Sequence, residues 1–356
     1  LLRLFTWPSV LALLLAYLST YVSPKDVSWL ALFGLVYPLW LFLSFSAFIL
    51  CLVFRRRLFL VPLVAILLGV GHLSDFIQWN GSNEATENDM KIMSYNVRIF
   101  DAYDWSEGAN TRDSILAVIR DQQPDILCIQ EFYHTTKRQG FDLREDISEI
   151  LQTGPPTLGY THNFSDQHFY GLATFSRYPV ISSGVVDFHD HKDNLCSYVD
   201  IQIDEDTLRV YNAHLASIRF QEEDYEFVEQ KSEQPVTTNF LRITNLLLKA
   251  FEKRADQAEK IHAHISESPY PILLCGDFND TPVSYSYSVL SKDLNDIFHS
   301  HGNGMERTYV GRFPSFRIDY IMHSDEIMPS SFETVEKEFS DHRPIVATFN
   351  LSSEED

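Results

Sequence analysis

Cysteine is scarce in this sequence, and what there is stands unpaired. Of its four cysteines, Cys51 sits in an apolar stretch, Cys128 and Cys275 lie inside apolar strand-like runs, and Cys196 stands alone. No CxxC or similar spacing occurs, so neither a cysteine zinc site nor a disulfide framework is indicated. Buried free thiols are expected instead. Positive charge is short as well: 28 Lys and Arg face 49 Asp and Glu, a formal net charge of −21 over 356 residues. After residue 57 no run is rich in Lys or Arg. Long nucleic acids are gripped mainly through cationic contacts to phosphate, so this balance disfavours a tight DNA binder. It does not exclude chemistry on smaller anionic substrates. A GxSxG string is missing too, and no cysteine has a nucleophile's setting, so nothing supports a phosphate-independent hydrolase using His and Asp. There is no internal repeat and no low-complexity tract.

Charge of either sign is nearly absent from the first 79 residues, which hold only Arg3, Lys25, Asp26, Arg55, Arg56, Arg57 and Asp75. The acidic excess therefore lies in the remainder of the chain. Three apolar stretches fill this segment: Leu4 to Val22, Trp29 to Phe54 and Leu58 to Ile77. A bilayer core of ~30 Å needs about 20 helical residues, so each is long enough to be read as a transmembrane helix. A signal peptide would account for the first stretch alone. The Arg55–Arg57 cluster is expected to face the cytoplasm, which sends the third helix outward. The expected organisation is a membrane segment over 1–79, a polar linker over 80–89, and one domain over 90–356. That domain would lie on the non-cytoplasmic side, at the inner membrane if the cell is bacterial.

Beyond the linker, strands are expected at Lys91–Phe100, Asp125–Gln130, Leu172–Ser176, Tyr198–Ile203, Leu208–His214, Ile272–Cys275, Arg317–Met322 and Ile345–Phe349. Helical spacing marks Thr111 to Gln123, closed by Pro124, and a long stretch from Phe240 to Ile265. Residues 216–238 form an acidic segment that fits neither period. Strands with helices between them suggest a sheet core flanked by helices.

Six short strings place polar or metal-capable side chains at the ends of apolar strands: Ser94–Arg98 (SYNVR), Ile129–Phe132 (IQEF), Asn212–Leu215 (NAHL), Gly276–Asp280 (GDFND), Arg317–Ile321 (RIDYI) and Ser340–Pro344 (SDHRP). Taken singly, each has a plain structural explanation: Asn96 as a turn residue, Glu131 as a surface carboxylate, His214 as a hydrogen-bonded core histidine. Together they make coincidence improbable, because strand ends converge on one edge of a sheet and bring distant residues to one place. His189, His191 and Asp193 also resemble a metal cluster, but HDHKD lacks a fourth ligand and reads as a solvated loop.

In this order the strings resemble those of the endonuclease/exonuclease/phosphatase superfamily, over about Met90 to Leu351, with GLATFSRYPV (Gly171–Val180) as a secondary match. The resemblance implies an α/β (α+β) fold, a four-layer sandwich of two mixed β-sheets flanked by helices, here preceded by the transmembrane segment. It implies that Glu131 binds Mg²⁺ or Mn²⁺, with Asn96 and Asp341 completing the site, since hard cations take oxygen ligands. Asp277 would activate the attacking water, and Asn279 would hold that water or a phosphate oxygen. His214 and His342 would donate to the non-bridging oxygens, with Asp319 orienting His342. Arg98, His168 and Tyr170 are weaker candidates for touching substrate phosphate. The electrostatics points the same way: carboxylates gathered in one pocket repel each other and an anionic substrate unless a cation sits among them.

The expected function is thus metal-dependent hydrolysis of a phosphodiester or phosphomonoester, whether of a small molecule, a lipid head group or a nucleic acid. A DNA or RNA nuclease is one alternative. A non-catalytic membrane binding protein that keeps the fold is another.

Overall fold

The computed structural model describes residues 2–54, 56–80, 89–103, 111–135, 142–164, 167–188, 194–218, 236–311 and 316–351. His189, His191 and Asp193, Arg55, and most of the acidic segment and of the linker lie outside them.

Its contacts divide the chain into two compact units. One of them, residues 77–215, 260–279 and 290–356, holds the strands: β1 (Ile77–Trp79), β2 (Met90–Asn96), β3 (Ile126–Thr135), β4 (Thr157–Phe164), β5 (His168–Ser176), β6 (Val180–Val185), β7 (Leu195–Ile203), β8 (Asp206–His214), β9 (Ile272–Asp277), β10 (Asn295–Asp296), β11 (Asn303–Met305), β12 (Asp319–His323), β13 (Ile327–Thr334) and β14 (Ile345–Leu351). Two six-stranded sheets run β13-β14-β2-β3-β5-β4 and β10-β12-β9-β8-β7-β6, and β1 pairs with β11. Both large sheets are mixed, with one parallel pair each, β2 with β3 and β8 with β9.

Alternation along the strands builds the layers. Ile92, Ile126, Cys128, Ile345 and Ala347 of the first sheet pack against Val199, Val210, Leu273, Cys275 and Ile321 of the second in one buried cluster. Their neighbours Met93, Leu127 and Ile129 point the other way, into a cluster with Ile115, Ile119, Ile147 and Leu151. The last four belong to the helices Thr111–Gln122 and Leu143–Leu151. On the second sheet, Tyr211 meets His264 of the helix Val236–Ser266 through a 2.8 Å hydrogen bond. The expected two mixed sheets with flanking helices are therefore present.

Several boundaries differ from expectation. The strand starting at Lys91 ends at Asn96, because Arg98 to Asp101 turn with positive φ of 44–55°. Arg317 and Ile318 precede β12 instead of opening it.

The other unit contains residues 1–76, 216–259 and 280–289. Among the described residues no single helix is long and apolar enough to cross a membrane. The first helix, Leu2–Leu18, has 17 residues. The second stretch is broken: Ser28–Leu35 and Tyr37–Val53 meet at a 64° bend, and only together pass by length and composition. Pro38 explains the break, since its ring has no N–H to donate and clashes with the carbonyl four residues back. The third divides at Gly69 into Leu60–Leu68 and Val70–Ser74. Val10, Leu13, Ala16, Tyr17, Tyr37 and Ala65 form a buried cluster that includes Val283. Contacts thus group residues 216–259 and 280–289 with the N-terminal helices, where the sequence suggests a cut near residue 79.

Candidate active site

Strand register alone sets three of the candidates side by side. His214 ends β8 and is the Cα partner of Asp277 at the end of β9, which in turn is the partner of Asp319 at the start of β12. Gly276 makes the β8–β9 approach possible: its φ is +148°, and a Cβ there would lie 1.9 Å from the Ala213 carbonyl oxygen. Asn96 closes β2 opposite Gln130. Between Ile129 and Phe132 the register of β3 against β5 shifts, and Glu131 takes a positive φ of 52°. A bulge of this kind re-aims a side chain. Beneath it, Gln130 Nε2 donates to Asn212 Oδ1 at 2.8 Å and Asn212 Nδ2 to the Ile129 carbonyl at 3.2 Å, tying the two sheets together under the site.

Asp277 is the hub. Its Oδ2 accepts from Asn96 Nδ2 at 2.9 Å and Asn279 Nδ2 at 3.2 Å. The Nε2 atoms of His342 and His214 stand 3.6 and 3.7 Å from the same oxygen. Asn96 also reaches Glu131 Oε1 at 3.4 Å, and His214 Nε2 is 3.9 Å from that atom. His214 Nε2 is buried without a hydrogen-bond partner. The other ring is anchored: His342 Nδ1 lies 2.9 Å from Asp319 Oδ2, and Tyr309 packs edge-on against it at 5.3 Å. Thr308 Oγ1 accepts from the amides of Ile318 and Asp319 at 3.0 and 3.1 Å. Ser340 Oγ donates to the Asn96 carbonyl at 2.8 Å, fastening the Asp341–His342 loop to β2.

Burial opposes the charge on His342, but the Asp319 and Asp277 carboxylates outweigh it and hold the imidazole well above its ordinary pKa. Burial pushes Glu131 up; His214 and His342 pull it back and Asp341 adds to the rise. Its side chain is about a third exposed (34 %), so water moderates that rise. Burial also raises Asp319, against the pull of His342.

These features fit a hard divalent cation. Four carboxylates, Glu131, Asp277, Asp319 and Asp341, influence one another here, and oxygen donors suit Mg²⁺ or Mn²⁺. The unpartnered His214 Nε2 faces two of them across gaps too long for a hydrogen bond. Single ligand atoms of Asp277, Asp319 and His342 lie within 4.8 Å of one another, a different trio from Glu131, Asn96 and Asp341.

A sequence profile described as the Endonuclease/Exonuclease/phosphatase family matches residues 93–342. The chain belongs to this family. Family members are hydrolases acting on phosphoesters, generally with a divalent metal. A second profile, a domain of unknown function, matches residues 1–76. No curated protein matches the chain. Solved structures share the family fold. An endonuclease/exonuclease/phosphatase from Bacteroides vulgatus has a TM-score of 0.55 at 18% identity, over 74% of this chain and 100% of that one. A mannosyl-6-phosphatase of Bacteroides thetaiotaomicron has 0.54 at 17%, over 74% and 100%. The human Nocturnin catalytic domain with bound sulfate has 0.52 at 18%, over 74% and 93%.

Placed on this family fold, Asn96, Glu131, His214, Asp277, Asn279, Asp319 and His342 come together. Asp341 stands beside Arg98, its Oδ2 3.6 Å from Arg98 Nε. His168 and Tyr170 join an aromatic group on β3 and β5: His168 Nδ1 is 2.8 Å from the Tyr133 hydroxyl, and Tyr170 shares a 2.5 Å hydrogen bond with Tyr103. Thr308 and Tyr309 lie in no recognised string, and no sequence signal marked them. Gln130 and Ser340 lie inside quoted strings, as the neighbours of Glu131 and Asp341.

Proposed function

We propose that the chain is a phosphoesterase in which water attacks phosphorus in line with the leaving oxygen, and that Mg²⁺ or Mn²⁺ is its cofactor. One observation carries this reading: the Nε2 atoms of two histidines and two asparagine amides converge on Asp277 Oδ2. At 3.6 and 3.7 Å both imidazoles are too far from Asp277 to hydrogen-bond it directly, which leaves their Nε2 atoms to serve a phosphoryl oxygen beside the base. Asp277 takes a proton from the attacking water as the new P–O bond forms and the bond to the leaving oxygen breaks. His342, kept charged by Asp319, and His214 donate to the non-bridging oxygens, where negative charge grows. Asn279 holds Asp277, through its backbone amide to Oδ1 at 2.8 Å as well as its side chain. Glu131 and Asn96 would hold the cation, with Asp341 in support. When bound it would polarise the phosphoryl group and neutralise the leaving oxygen.

The acidic chain, with its net charge of −21, favours a small phosphoester or a lipid head group over a long nucleic acid. We further propose that residues 1–79 tether the enzyme to a membrane, with its catalytic part on the non-cytoplasmic side. Leu4, Leu11, Phe42, Val53, Leu67 and Leu68 remain exposed on the N-terminal helices, and apolar surface of this kind calls for a cover. Arg56 and Arg57 would face the cytoplasm.

The test uses the full chain in detergent, assayed on bis-p-nitrophenyl phosphate, p-nitrophenyl phosphate, plasmid DNA and sphingomyelin, with Mg²⁺ and with EDTA. Metal-dependent turnover is expected, with Asp277→Asn and His342→Ala each losing ~10²-fold or more in kcat. Activity that survives EDTA, or that both substitutions leave intact, overturns the reading.

A further inference from the structure

The long helix Val236–Ser266 carries a cation on the face that should be apolar. Arg254 is 1 % exposed, in step with buried Ala250, Phe251, Ala255 and Ala258. Its guanidinium lies 4.9 Å from the Phe251 ring centroid. Nε donates to Asp280 Oδ2 at 3.1 Å and Nη1 to the Ala216 carbonyl at 3.1 Å. One turn on, the buried Gln257 accepts the Ala216 amide at 2.8 Å. Both backbone polar groups of Ala216 and the carboxylate of Asp280 are thereby fixed by two side chains of one helix.

Ala216 comes two residues after His214, and Asp280 directly follows Asn279. The two chain segments are also stitched to each other. The Leu215 amide donates to the Asp277 carbonyl at 2.9 Å, and Asn279 Nδ2 to the Leu215 carbonyl at 3.1 Å. A shift of Ala216 or Asp280 must therefore be transmitted to the residues that carry the chemistry. Burying a cation in a helix face is costly unless its partners are well placed. An aliphatic residue would fill this face without that cost, but could not hold a carbonyl and a carboxylate at once.

We propose that Arg254 is a positioning residue, which with Gln257 clamps the chain leaving β8 and β9 and so sets the reach of His214 and Asn279 without touching substrate. The inference rests on the phosphoesterase reading, because the value of the clamp is the alignment of that site. A displacement of ~1 Å at reacting groups is enough to cost ~10²-fold in rate.

The test separates alignment from stability. The double variant Arg254→Met/Asp280→Leu removes both charges and leaves none buried alone, and Gln257→Met is a milder second perturbation. Turnover of bis-p-nitrophenyl phosphate is measured on the full chain in detergent with Mg²⁺, alongside thermal unfolding. The ring-carbon NMR signals of labelled histidines are recorded in parallel, His214 and His342 being assigned by their alanine variants. The double variant is expected to lose ~10²-fold in kcat and Gln257→Met ~5-fold, with KM within ~3-fold, and both should move or broaden the His214 signal while His342 stays in place. Wild-type kcat in a folded double variant overturns the proposal. If the double variant does not fold, Gln257→Met decides: an unmoved His214 signal with unchanged kcat overturns it equally. If the wild type turns over no phosphoester, the functional reading fails, while the His214 signal still reports on the clamp.

Discussion

Replacing Glu306 with glutamine should make the protein more stable at pH 8 and leave it nearly unchanged at pH 5. Glu306 and Asp296 both pair with the guanidinium of Arg317, and the three side chains are at most 2 % exposed. Arg317 is also covered by the rings of Phe298 and Tyr320, 4.4 and 4.6 Å from their centroids. One buried cation thus faces two buried carboxylates. Burial lifts Glu306 from its ordinary 4.5 to about 7, with Arg317 opposing the rise and Asp296 adding to it. The folded chain therefore binds this proton more tightly than the unfolded chain does. The contribution is complete below pH ~4.5 and is lost as pH rises through about 7. Ionising the group in the folded protein costs roughly 3 kcal/mol. Glutamine keeps the shape, takes away one of the two carboxylates and leaves the Arg317–Asp296 pair in place. Urea unfolding of both proteins at pH 5 and pH 8 should show a difference below about 1 kcal/mol at pH 5. At pH 8 it should reach roughly 3 kcal/mol in favour of the variant. A variant less stable than wild type at pH 8, or a difference that ignores pH, would refute the reasoning.

The remaining expectations concern the site. Asp319→Asn removes a charge-assisted hydrogen bond to His342 worth ~1.5–3 kcal/mol, so kcat should fall ~10- to 100-fold with KM little changed in steady-state assays. Glu131→Gln should weaken Mn²⁺ binding ~10-fold or more by titration calorimetry; an unchanged affinity would place the cation elsewhere. Gly276→Ala drives a methyl group into the Ala213 carbonyl at a backbone angle alanine avoids, and should cost about 3 kcal/mol or more, read as a lost or much lower thermal transition.

The candidate site was more legible than the scaffold around it, for a physical reason. Asn96, His214, Asp277 and Asp319 each interrupt or flank an apolar run, and that interruption shows in the sequence without knowledge of any partner. The bulge that aims Glu131 does not show, since it depends on Leu172 alone standing opposite Gln130 and Glu131. Edge strands were missed because one or both faces meet water: β6 is largely exposed, and β13 carries Pro329 at its own register shift. The apolar N-terminal stretches were recognised by length and composition, but their breaks at Pro38 and Gly69 were not. Arg254 did leave a trace. It falls at core spacing after Ala250 and Phe251, and a lone cation at such a position asks for a buried anion.

The packing of Val283 into the N-terminal helices bears on how this enzyme can be handled. A Cβ on Gly34 would come within 2.2 Å of the Val283 carbonyl oxygen, so the stretch just after Asp280 is seated on residues that a soluble fragment starting at 77 would discard. Such a fragment would lose more than an anchor. It would strip the lining from the segment that follows Asp277, and a poor rate measured on it would report the excision, not the enzyme.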